Sequence, residues 1–318
     1  MRQTGRDTGA ARSTSATKDG GCDPSCCPAA SKPGPPAEEP ELAPGLYLVA
    51  TPIGNLADVT LRALDVLRRV DRIFCEDTRV TARLLARYGI SKRLGVYQDH
   101  NAEVARPMIL AALRRGERVA LVSDAGTPLV SDPGYKLVRA ALAEGLPVTA
   151  APGPSAALTA LILSGLPSDA FLFAGFLPSR QAARRRALER WRTLEATMVF
   201  FEGPSRLAES LADMADVLGN RAAAVARELT KLHEEIRRGR LAELADHFCR
   251  AGPPRGETVV VVGPSEASEP SLEEIDRRLR EALAEFGVRD AAAKIAAETG
   301  LGRGAVYRRA LAIRGEKG

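Results

Sequence analysis

Apolar residues along this chain come in short runs, each closed by glycine, proline or a small polar residue. Between them lie stretches in which apolar positions return every three or four residues. Runs of the first kind read as buried strands, and stretches of the second kind as helices. The pattern predicts strands at 46–50, 72–75, 94–97, 119–122 and 148–151. Helices at 58–69, 78–88, 102–115 and 133–144 alternate with them, the first with Leu61, Leu64, Val66 and Leu67 as its apolar positions. A second series follows a linker near 166–170, with strands at 171–176, 198–202, 223–227 and 258–262 and helices around 184–193, 206–217 and 241–250. Such repetition argues for a mostly parallel sheet covered by helices. The expected domains are α/β units at 44–166 and 167–264, a polar linker at 264–270 and a helical piece at 271–318.

The two ends of the chain depart from this pattern. Residues 1–43 are rich in Ser, Thr, Gly, Pro and Ala without periodicity, which predicts a disordered extension. In the helical tail, DAAAKIAAETGLGRGAVYRRAL sets Ala296, Gly300 and Val306 at the small–Gly–apolar offsets of a helix-turn-helix. From Gly287 onward there are seven Lys/Arg against three Asp/Glu, a tilt toward nucleic acid over a plain solvated bundle.

Composition adds bounds. A chain of 318 residues with 45% hydrophobic and 27% charged residues is ordinary for a soluble protein of two medium domains. No apolar stretch approaches a membrane span, and the first forty residues hold no signal-type apolar region, so a cytoplasmic location is expected. The net charge of +5 is compatible with a polyanionic partner. Of five cysteines, Cys22, Cys26 and Cys27 form CDPSCC, which lacks the paired CxxC and fourth ligand of a metal site; no metal is expected.

Chemistry concentrates in the loops that end the strands. SDAGTPLVSDPG (123–134) follows the run Arg118–Val122, and Ser131-Asp132-Pro133 reads as a helix N-cap with proline at the first helical position. ATPIGN (50–55), APGPSA (151–156) and FEGPSR (201–206) also follow apolar strands. Loops at carboxyl ends of strands are where open α/β proteins bind ligands. GxGxxG after the first strand and GxxxxGK[ST] are both missing, which removes the usual dinucleotide and P-loop sites. A ligand held by main chain, small hydroxyls such as Thr127 and Ser155, and apolar walls remains. S-adenosylmethionine fits, since it has no phosphate and requires no lysine cradle.

The set LYLVATPIGNLADVTLRALDVL, CEDTRVTARLL, SDAGTPLVSDPGYKLV, PGPSAALTALILSGLP, FLFAGFLP, FFEGPSRL, ARELTKLHEEIRRG and RGETVVVVG, in this order over about residues 45–315, closely resembles the bacterial ribosomal RNA small-subunit methyltransferase I family. That family is similar in fold to the tetrapyrrole methylases. The resemblance implies two α/β domains with S-adenosylmethionine in the cleft between them, and a homodimer. It also implies 2′-O-methylation of a cytidine ribose in the decoding region of small-subunit rRNA. Carried over residue by residue, it places Pro52, Ala125, Gly126, Thr127 and Val130 against the cofactor. Ser155, Ala156, Glu202, Gly203, Leu229 and Thr230 join them. Where the family usually has His-Asn-Glu, this chain has His100-Asn101-Ala102, with Glu103 one position on.

Methyl transfer from an activated sulfonium to a ribose hydroxyl depends chiefly on positioning, with a general base adding a smaller factor. Candidates for the base are Asp77, Glu76, His100 and Lys231; Asp77 leads because it is acidic and follows a strand facing the cleft, and Lys231 is the alternative phosphate clamp. For each a structural role competes, above all Asp77 as a helix N-cap. The segment 180–194 carries six arginines against one glutamate, so Arg184, Arg185, Arg186 and Arg190 are expected to contact RNA, with Arg79 beside them. Arg62, Arg83 and Arg87 are weaker candidates. Two other readings compete: a tetrapyrrole C-methyltransferase on the same fold, and an rRNA-binding assembly factor without catalysis.

Overall fold

In the computed structural model, which describes residues 41–265, 272–299 and 301–315, the first apolar run forms β1 (Gly45–Val49). It pairs in parallel with β4 (Arg118–Val122) and β5 (Val148–Ala151), while β2 (Arg72–Cys75) joins β4 to β3 (Leu94–Val96). The order β3-β2-β4-β1-β5 is wholly parallel. Helices cover both faces, which explains why the strands are apolar at successive positions rather than alternating. Tyr47, Val49, Ala120 and Val122 pack with α1 (Leu61–Arg69) and Leu85 of α2 (Thr78–Arg87). Leu46, Val119 and Leu121 face α3 (Ala102–Arg114) and α4 (Tyr135–Ala143).

The second sheet is mixed, in the order β6-β7-β10-β8-β9. β6 (Phe171–Phe176) runs parallel to β7 (Thr197–Glu202), whereas β10 (Thr258–Val262) is antiparallel to β7 and to β8 (Ala222–Arg227). One face carries α6 (Gln181–Glu189), α7 (Leu207–Leu218) and α8 (Leu241–Ala251). The other is covered by α5 (Ala156–Ser164), whose Ala157, Ala160 and Leu161 pack on Val199, Ala226, Val259 and Val261. The expected boundary at 166 counts α5 with the first unit; its packing is on the second sheet. β9 (Glu235–Arg240) was not expected, because EIRRGR carries one apolar residue; it is an edge strand paired only to β8. The tail forms α9 (Leu272–Glu285), α10 (Val288–Thr299) and α11 (Arg303–Gly315) around its own core, which includes Ala296 and Val306.

Three local readings need correction. Helix α4 starts at Tyr135 with Gly134 as its cap at φ 137°, not at Pro133 after a Ser131-Asp132 cap, and Leu129 and Ser131 before it adopt left-handed backbone. Leu61 opens α1 on its solvent side and is 85% exposed; Ala63 takes its place in the core. Leu42 packs on the first core, so order begins before residue 44. The extension up to residue 40 with its CDPSCC cysteines, most of the 264–270 linker, and Gly300 lie outside the described residues. No helix among the described residues is long and apolar enough to cross a membrane.

Candidate active site

The strand-ending loops of both units meet at one cleft and are tied together by named hydrogen bonds. Thr51 and Gly126 exchange backbone bonds at 2.9 and 3.0 Å, and the Thr51 hydroxyl donates to the Ser123 carbonyl at 3.0 Å. The Thr127 hydroxyl donates to the Pro154 carbonyl at 3.1 Å. Across the cleft, the Asn55 amide donates to the Thr230 hydroxyl at 3.0 Å. Gly54 permits that approach: a Cβ there would lie 2.5 Å from the Lys231 side chain and 2.9 Å from the Leu229 carbonyl. Among the described residues, the non-glycine residues with positive φ are Leu129, Ser131, Glu228 and Thr230. They lie on two loops bordering the cleft, where strained backbone is often retained for function.

Two adjoining cavities open between the units, and their charge differs. The smaller, about 340 Å³, has apolar walls from Ile53, Ala156, Phe176, Phe201, Ala226, Leu229 and Val259. Its acidic lining comes from Glu76, Asp124, Asp132, Glu202 and Glu257, with no basic side chain. The larger, about 660 Å³, shares Ile53, Asp124, Ala125 and Glu257 with it. It adds Pro52, Leu56, Val80, Leu84 and Thr81, and two cations, Arg83 and Lys231. Lys231 is already neutralised by Glu228 at 2.8 Å and Glu257 at 3.1 Å. Arg83 makes no ion pair among the described residues. Nor is any group of three His, Cys, Asp or Glu there arranged to hold a metal ion.

The carboxylates differ sharply in protonation. Burial raises Glu76 to about 7, helped by the negative charges of Asp132, Asp124 and Asp99. Burial likewise raises Asp132 to about 6, opposed by a hydrogen bond with Ser123 and assisted by Asp124. Asp77 goes the other way, to about 2, because Arg79 donates to its carboxylate from side chain and backbone. Glu202 is fully occupied, accepting from the Ser210 hydroxyl at 2.6 Å, the Gly203 amide at 2.8 Å and Arg206 at 2.6 Å.

These placements revise several expected roles. Asp77 is the N-cap of α2, accepting from the Arg79 amide at 2.8 Å, and lines neither cavity. A carboxylate held near 2 is too weak a base to compete with Glu76. His100 sits exposed in the turn before α3, away from both cavities. Pro52 and Lys231 line the larger cavity; Ala125 lines both; Ala156, Gly203 and Leu229 line the smaller. Gly126, Thr127, Ser155 and Thr230 join loops to one another or cap α5, and Val130 lines neither cavity.

The arginine helix is not a free basic face. Arg184 is 1% exposed and bonded to Asp213 at 2.7 Å. Arg185 bridges Asp213 and Asp216, both at 2.9 Å. Arg186 and Arg190 remain exposed, with Arg190 5.7 Å from the Trp191 ring centroid, and Arg79 pairs with Asp77 at 2.6 Å. Sequence reasoning missed Asp124, Asp132, Glu257, Thr81, Phe176 and Phe201. All six lie within the quoted motifs, Asp124 and Asp132 in SDAGTPLVSDPG, Thr81 in CEDTRVTARLL, Phe176 in FLFAGFLP, Phe201 in FFEGPSRL and Glu257 in RGETVVVVG, but the motifs alone do not say which of their residues face the cleft.

Comparison with known proteins fits this geometry. Residues 45–245 match the family of tetrapyrrole (corrin/porphyrin) methylases, and residues 269–314 match the RsmI C-terminal HTH domain. The ribosomal RNA small subunit methyltransferase I of Mesorhizobium japonicum is 55% identical over 278 residues, covering 87% of this chain and 95% of the relative. That of Escherichia coli O157:H7 is 45% identical, covering 85% and 96%. Among solved structures, a diphthine synthase superposes with a TM-score of 0.54 at 17% identity, over 69% of this chain and 89% of its own. A cobalt precorrin-4 methyltransferase gives 0.51 at 18% identity, over 69% and 94%. The structural likenesses concern the fold.

Proposed function

Because the chain belongs to the ribosomal RNA small subunit methyltransferase I family, on a tetrapyrrole-methylase fold, we propose that it transfers the methyl group of S-adenosylmethionine to the ribose 2′-hydroxyl of a cytidine in small-subunit rRNA. The observation that carries this reading is the division of charge between the two cavities. The smaller combines apolar walls with acidic side chains and no cation, which suits a ligand bearing a sulfonium and an ammonium beside an adenine. The larger adds Arg83, which makes no ion pair among the described residues and suits a phosphate of RNA, while its Lys231 is already held by Glu228 and Glu257.

The residues present fit the cofactor. Ala125 keeps the shared wall small, Phe176, Phe201 and Val259 offer apolar surface, and Glu76, Asp124 and Asp132 offset positive charge. When bound, S-adenosylmethionine supplies a methyl already activated by its sulfonium. Glu76, on the wall of the smaller cavity and with a carboxyl near 7, accepts the ribose hydroxyl proton at a carboxylate oxygen. Asp77 fixes the start of α2, which carries Thr81 and Arg83 into the larger cavity. The protein acts as a homodimer, for which Val104 with Met108 on α3 and Leu158 with Ile162 on α5 supply exposed apolar pairs one turn apart. Arg186, Arg190 and the basic tail extend the RNA contact.

Incubation with methyl-labelled cofactor and unmethylated small subunits, naked 16S rRNA or a tetrapyrrole tests the proposal. Label should enter RNA, and alkaline hydrolysis should leave an alkali-resistant dinucleotide carrying it. Label in the tetrapyrrole, on a nucleobase, or in no acceptor overturns it.

A further inference from the structure

Helix α2 forms one wall of the larger cavity, yet its outward side takes no part in the site described above. Thr81, Leu84 and Leu85 are buried on the inner side. The outward side reads Arg79, Ala82, Arg83, Ala86 and Arg87, all exposed. Residues four apart in a helix share a face, so the three arginines form one stripe with alanines between them. Each step along the stripe rises about 6 Å. None of the ten residues of α2 is acidic. Arg79 is spent on Asp77 at 2.6 Å, but Arg83 and Arg87 make no ion pair among the described residues. The contrast with α6 is direct, because there α7 sets Asp213 and Asp216 against Arg184 and Arg185.

The far end of the stripe is tied back to the cavity. The Arg87 guanidinium carbon lies 5.6 Å from the Tyr88 ring centroid, and the Tyr88 hydroxyl donates to the Leu56 carbonyl at 2.7 Å. Leu56 itself lines the larger cavity. The stripe therefore follows the rim, from the Asp77 end of α2 to the Leu56 side.

We propose that this stripe is a track for a single RNA strand, whose phosphates run along α2 as the strand passes the larger cavity. Arg83 meets the phosphate at the cavity, and Arg87 holds a neighbouring phosphate outside it. Ala82 and Ala86 let the backbone lie close to the helix. This rests on the methyltransferase reading above and adds a docking surface outside the acceptor site. A row one residue wide, with a cation at each step, follows neighbouring phosphates of one strand; α2 offers no second row for the other backbone of a duplex. Proteins that hold single strands pair such a cationic track with the nucleic-acid backbone. Like charges four apart weaken a helix, and a bound polyanion relieves that repulsion.

The test compares Arg87→Gln, Ala86→Glu and Arg250→Gln in the full chain, using unmethylated small ribosomal subunits as acceptor. Arg87 and Ala86 are exposed and line neither cavity. Their variants should therefore keep the parental melting temperature, S-adenosylhomocysteine affinity by calorimetry, and turnover at saturating subunits. Arg87→Gln should raise the KM for subunits severalfold and flatten the salt slope of binding by about one. Ala86→Glu sets a negative charge in the middle of the stripe and should raise KM about tenfold. Arg250→Gln removes the same charge from α8, which lines neither cavity, and should leave KM and slope parental. A parental KM and salt slope in Arg87→Gln, with the parent protein active on subunits, overturns the track while sparing the methyltransferase reading. An equal loss in Arg250→Gln reduces the effect to net charge and overturns it as well. A parent that binds S-adenosylhomocysteine yet labels no RNA overturns both.

Discussion

Two adjacent carboxylates, Glu76 and Asp77, have opposite chemistry because one turns into the cleft and the other onto a helix end. Asp77 accepts from Arg79 and is held near 2; Glu76 loses solvent beside Asp132 and Asp124 and rises to about 7. Asp77→Asn should therefore keep the parental single-turnover rate, because asparagine caps a helix as well as aspartate. Glu76→Gln should lower that rate about a hundredfold at saturating substrates. In the parent the rate should rise with pH toward a plateau as the Glu76 carboxyl loses its proton near 7, and the variant should lack that limb. Equal losses in both variants, or a parental rate in Glu76→Gln, would remove the proton-accepting role from Glu76.

At the scale of elements, α6 shows why a one-signed helix need not be a binding surface. Its arginines look alike in sequence, yet α7 brings Asp213 beneath them, and Arg184 and Asp213 exclude water from each other at 1% and 2% side-chain exposure. Breaking one partner of such a buried pair costs roughly 3–5 kcal/mol. Arg184→Glu also sets two negative charges in contact, so thermal melting should show severe destabilisation or failure to fold. Arg186→Glu, at an exposed position, should melt like the parent and weaken only subunit binding. Parental melting of Arg184→Glu would contradict the buried pair. The arginine spacing could not distinguish these roles, because the distinction is made by a helix that begins some twenty residues later. α5 and β9 were likewise hidden. α5 is apolar on nearly every side, which blurs a helical period, and β9 is an arginine-rich edge strand whose pairing alone makes it a strand.

At the scale of the whole molecule, the smaller cavity exists only where the two units meet. Glu76, Asp124 and Asp132 come from the first, and Phe201, Leu229 and Val259 from the second. Its acidic lining couples ligand charge to pH. Below about 6 both Glu76 and Asp132 hold protons; above about 7 both are negative and attract a cation. The affinity for S-adenosylmethionine relative to S-adenosylhomocysteine, which lacks the sulfonium charge, should therefore rise severalfold between pH 5.5 and 8. Calorimetry with both ligands across that range measures it. A flat ratio would place the sulfonium away from these carboxylates.

The linear chain determined the alternation of strands and helices, the first sheet's parallel character, the helical tail and the loops around which the site is built. Those features follow from local hydrophobic period and from turn residues that act on their immediate neighbours. Whether a carboxylate is a cap or a base, whether an arginine is buried or free, and which loop hydroxyls are already spent on other loops were decided in three dimensions. Each of these depends on what another segment places within a few ångströms: Arg79 folded back on Asp77, Asp213 under Arg184, Pro154 against Thr127. Burial and neighbouring charge set protonation and availability, and both are properties of packing between segments far apart in the chain.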